Sequence, residues 1–138
     1  MKSLILIRGV PGSGKTTLAH MLQQTLVHWH WHYEADNFFV NDDGEYVFDA
    51  SKLGEAHATC FKQTAYSLSV SEGVIVSNTF TTLKELRPYF ELAKKHDIRP
   101  VVYLAQNQFK SVHGVPEEAM ERMRNRFVYD ISLLYEIF

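Results

Sequence analysis

One stretch restricts this chain more than any other: Gly9-Val10-Pro11-Gly12-Ser13-Gly14-Lys15-Thr16, which satisfies every fixed position of the Walker A pattern. Glycines let successive backbone N–H groups turn toward one point, and a helix that begins at the loop's end adds partial positive charge there. Phosphate oxygens suit such a cradle. The flanks agree, because Ser3 to Arg8 is an aliphatic run suited to a strand buried on both faces. From Thr17 to about His28, Leu18, Met21, Leu22, Leu26 and Val27 recur at roughly helical spacing. The expected local order is strand, glycine loop, helix. Nucleoside triphosphate binding follows, with Gly12, Ser13, Gly14, Lys15, Thr16 and Thr17 around the phosphates. Lys15 is expected on the β and γ phosphates and the Thr16 hydroxyl on Mg2+.

The rest of the composition permits this reading and removes others. With 138 residues, 46% hydrophobic and 22% charged, the chain fits a single domain spanning positions 1–138. The formal charge of −2 supplies no global positive field, so a polyanion needs a local basic patch. A single cysteine, Cys60, excludes an internal disulfide framework and a multi-cysteine zinc site. Leu4-Ile5-Leu6-Ile7 stops at Arg8, too short to span a membrane and without the shape of a signal peptide, so a cytoplasmic location is expected.

Further along, Trp29, Trp31 and Tyr33 alternate with His28, His30 and His32. That pattern predicts an edge strand with its aromatic face inward and its histidine face in solvent. Helices are expected over about 51–70, capped by Ser51 and ended by Gly73, and from Thr81 or Thr82 with Glu85 to about His96, with Pro88 kinking or delaying its first turns. Val74-Ile75-Val76 is a second buried strand, Ile98 to Leu104 a fourth, and Pro116 opens a last helix toward Phe138. Four strands alternating with four helices predict an α/β doubly wound parallel sheet with helices on both faces. The order 2-3-1-4 follows from placing the two most apolar strands at the centre.

Asp36 falls just past the second strand's carboxyl end, on the rim where open α/β sheets bind ligands. A carboxylate there can take a proton from an attacking hydroxyl. Arg122 and Arg126, four apart on the last helix, share a face from which one can reach the adenine or a phosphate; pairing with Glu118 and Glu121 is the alternative. The alternate histidines have no adjacent acid or cysteine to complete a metal site, and Cys60 reads as a core residue. The tail Ile131, Leu133, Leu134, Ile137 and Phe138 is expected to pack back on the sheet.

Several segments together carry a more specific likeness. The glycine loop, Asp36 with Phe38-Phe39, and Gly44 to Asp49 with Ala56-His57 lead into Ser77-Asn78-Thr79 and then Lys110-Ser111-Val112-His113-Gly114-Val115-Pro116-Glu117 with Met123. In this order they resemble the polynucleotide-kinase-like P-loop phosphotransferases. That group includes the kinase domain of phage polynucleotide kinase and has AAA-type and zeta-toxin-like relatives. The resemblance implies that Asp36 is the general base for a 5′-hydroxyl. It also implies that Lys110 takes the place of a lid arginine and that Gln106 to Val115 form a lid. Two departures stand out. The family's third strand usually ends near an acidic residue where this chain has Ser77-Asn78, and lysine replaces arginine, a point charge without the planar fork.

The functional expectation is an ATP-dependent kinase with Lys15, Asp36 and Lys110 as its catalytic residues. It transfers the γ-phosphoryl group to a hydroxyl, foremost the 5′-hydroxyl of a polynucleotide or nucleoside, using ATP and Mg2+. The alternatives are a zeta-toxin-like kinase of a small metabolite or nucleotide sugar, and an ATP-binding module without turnover. No membrane partner is expected.

Overall fold

Leu4, Leu6, Val74 and Val76 are buried against one helical layer and Ile5, Ile7 and Ile75 against another, so their two strands take the centre of the sheet. The computed structural model describes residues 2–108 and 114–138. Its sheet is parallel throughout, with β1 (Ser3–Arg8) between β3 (Gly73–Ser77) and β4 (Val101–Leu104), and β2 (Trp31–Tyr33) outside β3. The order β2-β3-β1-β4 is the expected one. Leu4 pairs with Val74 and Ile5 with Ile75, and Trp31 lies beside Val74.

Helix α1 (Lys15–Thr25) covers the isoleucine face with Leu18, Ala19 and Leu22. Helices α2 (Leu53–Val70) and α3 (Leu83–Lys95) supply Ala56, Cys60, Leu68, Leu86 and Phe90 to the opposite face. The capping box that starts α3 joins Thr82 and Glu85, and the helix runs through Pro88. Leu134, at 2% exposure, and the half-buried Ile131, Tyr135 and Phe138 pack on the same core, as expected of the tail, whereas Leu133 and Ile137 stay exposed.

The structure corrects several local expectations. Around β2 the expected facing holds only in part: Trp29 and Trp31 are 57% and 49% exposed and His30 is 5% exposed, whereas Tyr33 packs on the core and His28 is exposed, as expected. His30 can be buried because both ring nitrogens are satisfied, one by the Ser3 hydroxyl and one by the His28 carbonyl at 2.8 Å. Gly73 makes room, since a Cβ there would lie 2.3 Å from the His30 ring. The two indoles meet edge to face outside the core, 6.4 Å between centroids. Asp49, not Ser51, caps the turn that leads into α2, its carboxylate accepting the Ser51 amide at 3.0 Å. Gly73 opens β3 and does not end α2, whose cap residue is Ser71. Leu53, the first residue of α2, is 41% exposed. The last helix, α4 (Glu117–Arg126), ends at Phe127, and a separate 3-10 segment covers Ser132–Ile137. The break has a physical cause: Phe127 is buried, with its ring 4.3 Å from the Arg8 guanidinium.

Candidate functional site

All four parallel strands end on one rim, and the glycine loop crosses it between β3 and β4. Gly9 N–H donates to Thr79 at 3.2 Å, Ala105 N–H to Arg8 at 2.8 Å and Asn107 N–H to Ser13 at 3.1 Å, so the loop is tied on both sides. The first glycine is required by contact. A Cβ on Gly9 would lie 2.4 Å from Ser13 Oγ and 2.7 Å from the Ala105 carbonyl. Gly14, at φ 93°, caps α1 without a side-chain hydrogen bond, leaving the first-turn amides of the helix open to an anion. The Ser13 hydroxyl is buried with no hydrogen-bond partner among the described residues.

Lys15 folds back over this loop and donates to the Val10 carbonyl at 3.0 Å. Burial pulls its ammonium down to about 8, and Asp36 and then Glu34 oppose that shift. Both carboxylates therefore act on Lys15 electrostatically. Asp36 stands exposed in the 3-10 turn Ala35–Phe39 that follows β2. Tyr46 approaches it with a long 3.4 Å contact; burial and then the Asp36 charge push that phenol up to about 12.

The turn is held from below. Asn78, 6% exposed at the end of β3, accepts the Ala35 amide through Oδ1 at 2.8 Å. Next to it, Ser77 donates to Glu34 at 3.0 Å, and Thr16 donates to the same Glu34 oxygen at 2.9 Å. His32 Nε2 lies 2.6 Å from the Ser77 hydroxyl. Serine has one proton, which goes to Glu34, so His32 is the donor to serine. Burial holds the His32 imidazole below its ordinary value, Glu34 opposing and His20 adding to the shift.

Of the expected site residues, Gly12 to Thr17 form the loop and its helix start, and Asp36 lies on the same rim near Lys15. Arg122 is exposed. Arg126 donates to Thr81 Oγ1 at 3.3 Å, and the ion pair on α4 joins Arg124 to Glu117 instead of using Glu118 or Glu121. Lys110 lies outside the described residues, as does the central part of the expected lid. Glu34 was absent from the sequence expectation. Its signal was positional: it shares the strand face of His32 by period-two alternation and falls at the strand's carboxyl end.

Of two hollows among the described residues, the first lies beside the loop. Of about 320 Å3, it is lined by Ser13, Gly14, Thr17, Leu18, Met21 and Leu104, beside the start of α1. The other, of about 340 Å3, lies between α2 and α3, lined by His57, Phe61, Phe80, Lys84 and Tyr89. Among the described residues no group of three or more histidine, cysteine or acidic side chains is arranged to hold a metal, and no helix is long and apolar enough to cross a membrane.

Comparison with known proteins agrees with this architecture. A family model described as an AAA domain matches residues 4–128. The chain is 31% identical to human NEDD4-binding protein 2 over 141 residues, which is 94% of this chain and 8% of that protein. It thus spans a small fraction of that curated relative. Among solved structures it resembles a chain of the Pnkp1/Rnl/Hen1 RNA repair complex, with a TM-score of 0.68, 18% identity, and coverage of 99% of this chain and 46% of that one. It also resembles the APS kinase CysC of Mycobacterium tuberculosis, with a TM-score of 0.60, 14% identity, and coverage of 88% and 67%. These two likenesses show that the chain shares their fold.

Proposed function

We propose, from the premise that this chain belongs to the AAA-domain family matched over residues 4–128, that it is an ATP-dependent phosphotransferase acting on a hydroxyl. The acceptor we favour is the 5′-hydroxyl of a polynucleotide or nucleoside. One observation carries the reading: a cradle of open amides and a carboxylate, Asp36, flank the same partly buried lysine, Lys15.

In this reading the backbone of residues 12–16 and the Lys15 ammonium bind the β and γ phosphates, and Lys15 exchanges its bond to Val10 for phosphate oxygens. The hollow beside Thr17, Leu18 and Leu104 receives the nucleoside. Asp36 takes the proton of the acceptor hydroxyl as that oxygen bonds to the γ phosphorus, while the bond from phosphorus to the β–γ bridging oxygen breaks and ADP leaves. Lys110 is assigned the charge on the transferred group, and Arg122 or Arg126 the adenine or a phosphate. Thr16 fits Mg2+: its one proton is held by Glu34, so both lone pairs are open to an ion that prefers oxygen ligands. Bound there, Mg2+ supplies charge neutralisation on the β and γ oxygens.

The likeness to a chain of an RNA repair complex supports the polynucleotide acceptor. The likeness to a kinase solved with AMPPNP and APS, together with the net charge of −2, supports a compact acceptor. The test is label transfer from γ-labelled ATP to 5′-hydroxyl oligonucleotides and to small hydroxyl acceptors at rising salt. A polynucleotide acceptor loses apparent affinity steeply with salt and a compact one does not. Binding of ATP with no labelled product from either class would leave only an ATP-binding module.

A further inference from the structure

Nothing acidic ends β3, where Ser77 and Asn78 stand. We propose that Glu34, at the end of β2, supplies the metal-side carboxylate that β3 lacks, fixing the Thr16 hydroxyl for a Mg2+–nucleotide and accepting a hydrogen bond from a water the ion retains. The inference rests on the nucleotide reading above.

The geometry is built from three elements. Thr16 comes from the first turn of α1, Glu34 from the end of β2 and Ser77 from the end of β3. Strand alternation puts His32 and Glu34 on the α1 side of the sheet, whereas Tyr33 points the other way to Ser67. Pairing of β2 with β3, Tyr33 against Val76, then brings Glu34 beside Ser77. Glu34 Oε2 accepts two hydroxyl protons, at 2.9 Å from Thr16 and 3.0 Å from Ser77. The relay His32 to Ser77 to Glu34 therefore aims the carboxylate at Thr16 from the opposite side.

Two features distinguish this carboxylate from an ordinary surface acid. Its side chain is 19% exposed, yet its contact with a cationic group among the described residues is a 3.9 Å approach to the weakly basic His32. Its second oxygen, Oε1, accepts no hydrogen bond among the described residues, although a carboxylate offers about four acceptor sites. A half-buried carboxylate with one oxygen committed to the Thr16 hydroxyl and the other open is matched by a hydrated divalent cation on that hydroxyl. Because Glu34 is placed one step behind Thr16, it is a positioning residue. Loss of such a partner lowers metal affinity by roughly 10- to 100-fold.

The experiment is calorimetric titration of the full chain with ATP, with excess Mg2+ and with EDTA, for wild type, Glu34→Gln, Thr16→Ala and the double variant. Wild type is expected to bind ATP more tightly with Mg2+ than without. Glu34→Gln is expected to bind metal-free ATP no more weakly than wild type, since a negative charge beside Lys15 is removed, which also reports an intact loop, while the ratio of its affinities with and without Mg2+ falls roughly 10-fold or more. The losses from Glu34→Gln and Thr16→Ala should not add, since both break one linkage. A Glu34→Gln protein with the full wild-type Mg2+ enhancement, or strictly additive losses, would overturn the inference while leaving nucleotide binding intact. Wild-type protein that binds no ATP under either condition would remove the nucleotide reading and this inference with it.

Discussion

Asn78 Oδ1 accepts the backbone amide of Ala35 at 2.8 Å, so the end of β3 holds the residue next to Asp36. An uncharged side chain at this point thus serves the site by position: it pins the turn that presents the carboxylate. Asn78→Ala leaves the buried Ala35 amide without that acceptor, at a cost of about 1–3 kcal/mol. The expected result is phosphoryl transfer slower by roughly 10- to 100-fold through misplacement of Asp36, with ATP affinity nearly unchanged. Label-transfer kinetics alongside ATP titration separate the two.

Arg8 links the core to the loop after β3. It is 2% exposed, and its Nε and Nη2 donate to the Phe80 carbonyl at 3.0 and 2.7 Å beneath the Phe127 ring. Phe80 adopts φ 45°, a left-handed conformation that this fork helps to hold. Lysine keeps the charge but loses the planar fork and the ring stacking. Arg8→Lys is expected to destabilise the fold by about 2 kcal/mol. The midpoint of urea unfolding reads the change.

Stability toward acid should depend on Glu85. Burial alone would raise its carboxyl, but hydrogen bonds from Thr81 Oγ1 and the Thr82 amide and hydroxyl outweigh that, leaving it below its ordinary value. A folded-state value below the unfolded one means a contribution complete above the unfolded pKa of about 4.3 and lost as pH falls through the folded value. Glu85→Ala should therefore cost about 1 kcal/mol at pH 7. The gap between the two proteins should narrow as pH falls below the carboxylate range. Unfolding curves at a series of pH values between neutrality and strong acid test this.

The sheet order and the loop were legible because both rest on local patterns. The aliphatic runs at Leu4 and Val74 have no polar face, and the loop's glycines and lysine follow a fixed spacing. Features that depend on contacts between distant segments were not legible. The burial of His30 requires Ser3 and the open side of Gly73, so alternation alone misplaced His30 and the two tryptophans while placing Tyr33 and His28 as found. Phe127 ends α4 because Arg8, far off in sequence, stacks on it. Glu34 becomes part of the site only when pairing of β2 with β3 brings it to Ser77 and Thr16. Asp36 was legible because its place needs only the strand's end, whereas its support by Asn78 needs the tertiary fold.

The most direct measurement is single-turnover transfer of label from γ-labelled ATP to the best hydroxyl acceptor, by the full chain and by Asp36→Asn. Wild type is expected to form labelled product. Asp36→Asn should bind ATP with an affinity within about twofold of wild type yet transfer roughly 10²- to 10⁴-fold more slowly, the range for loss of a positioned base. Equal transfer rates in the two proteins, or no product from wild type with any hydroxyl acceptor, would contradict the assignment of this rim to phosphoryl transfer.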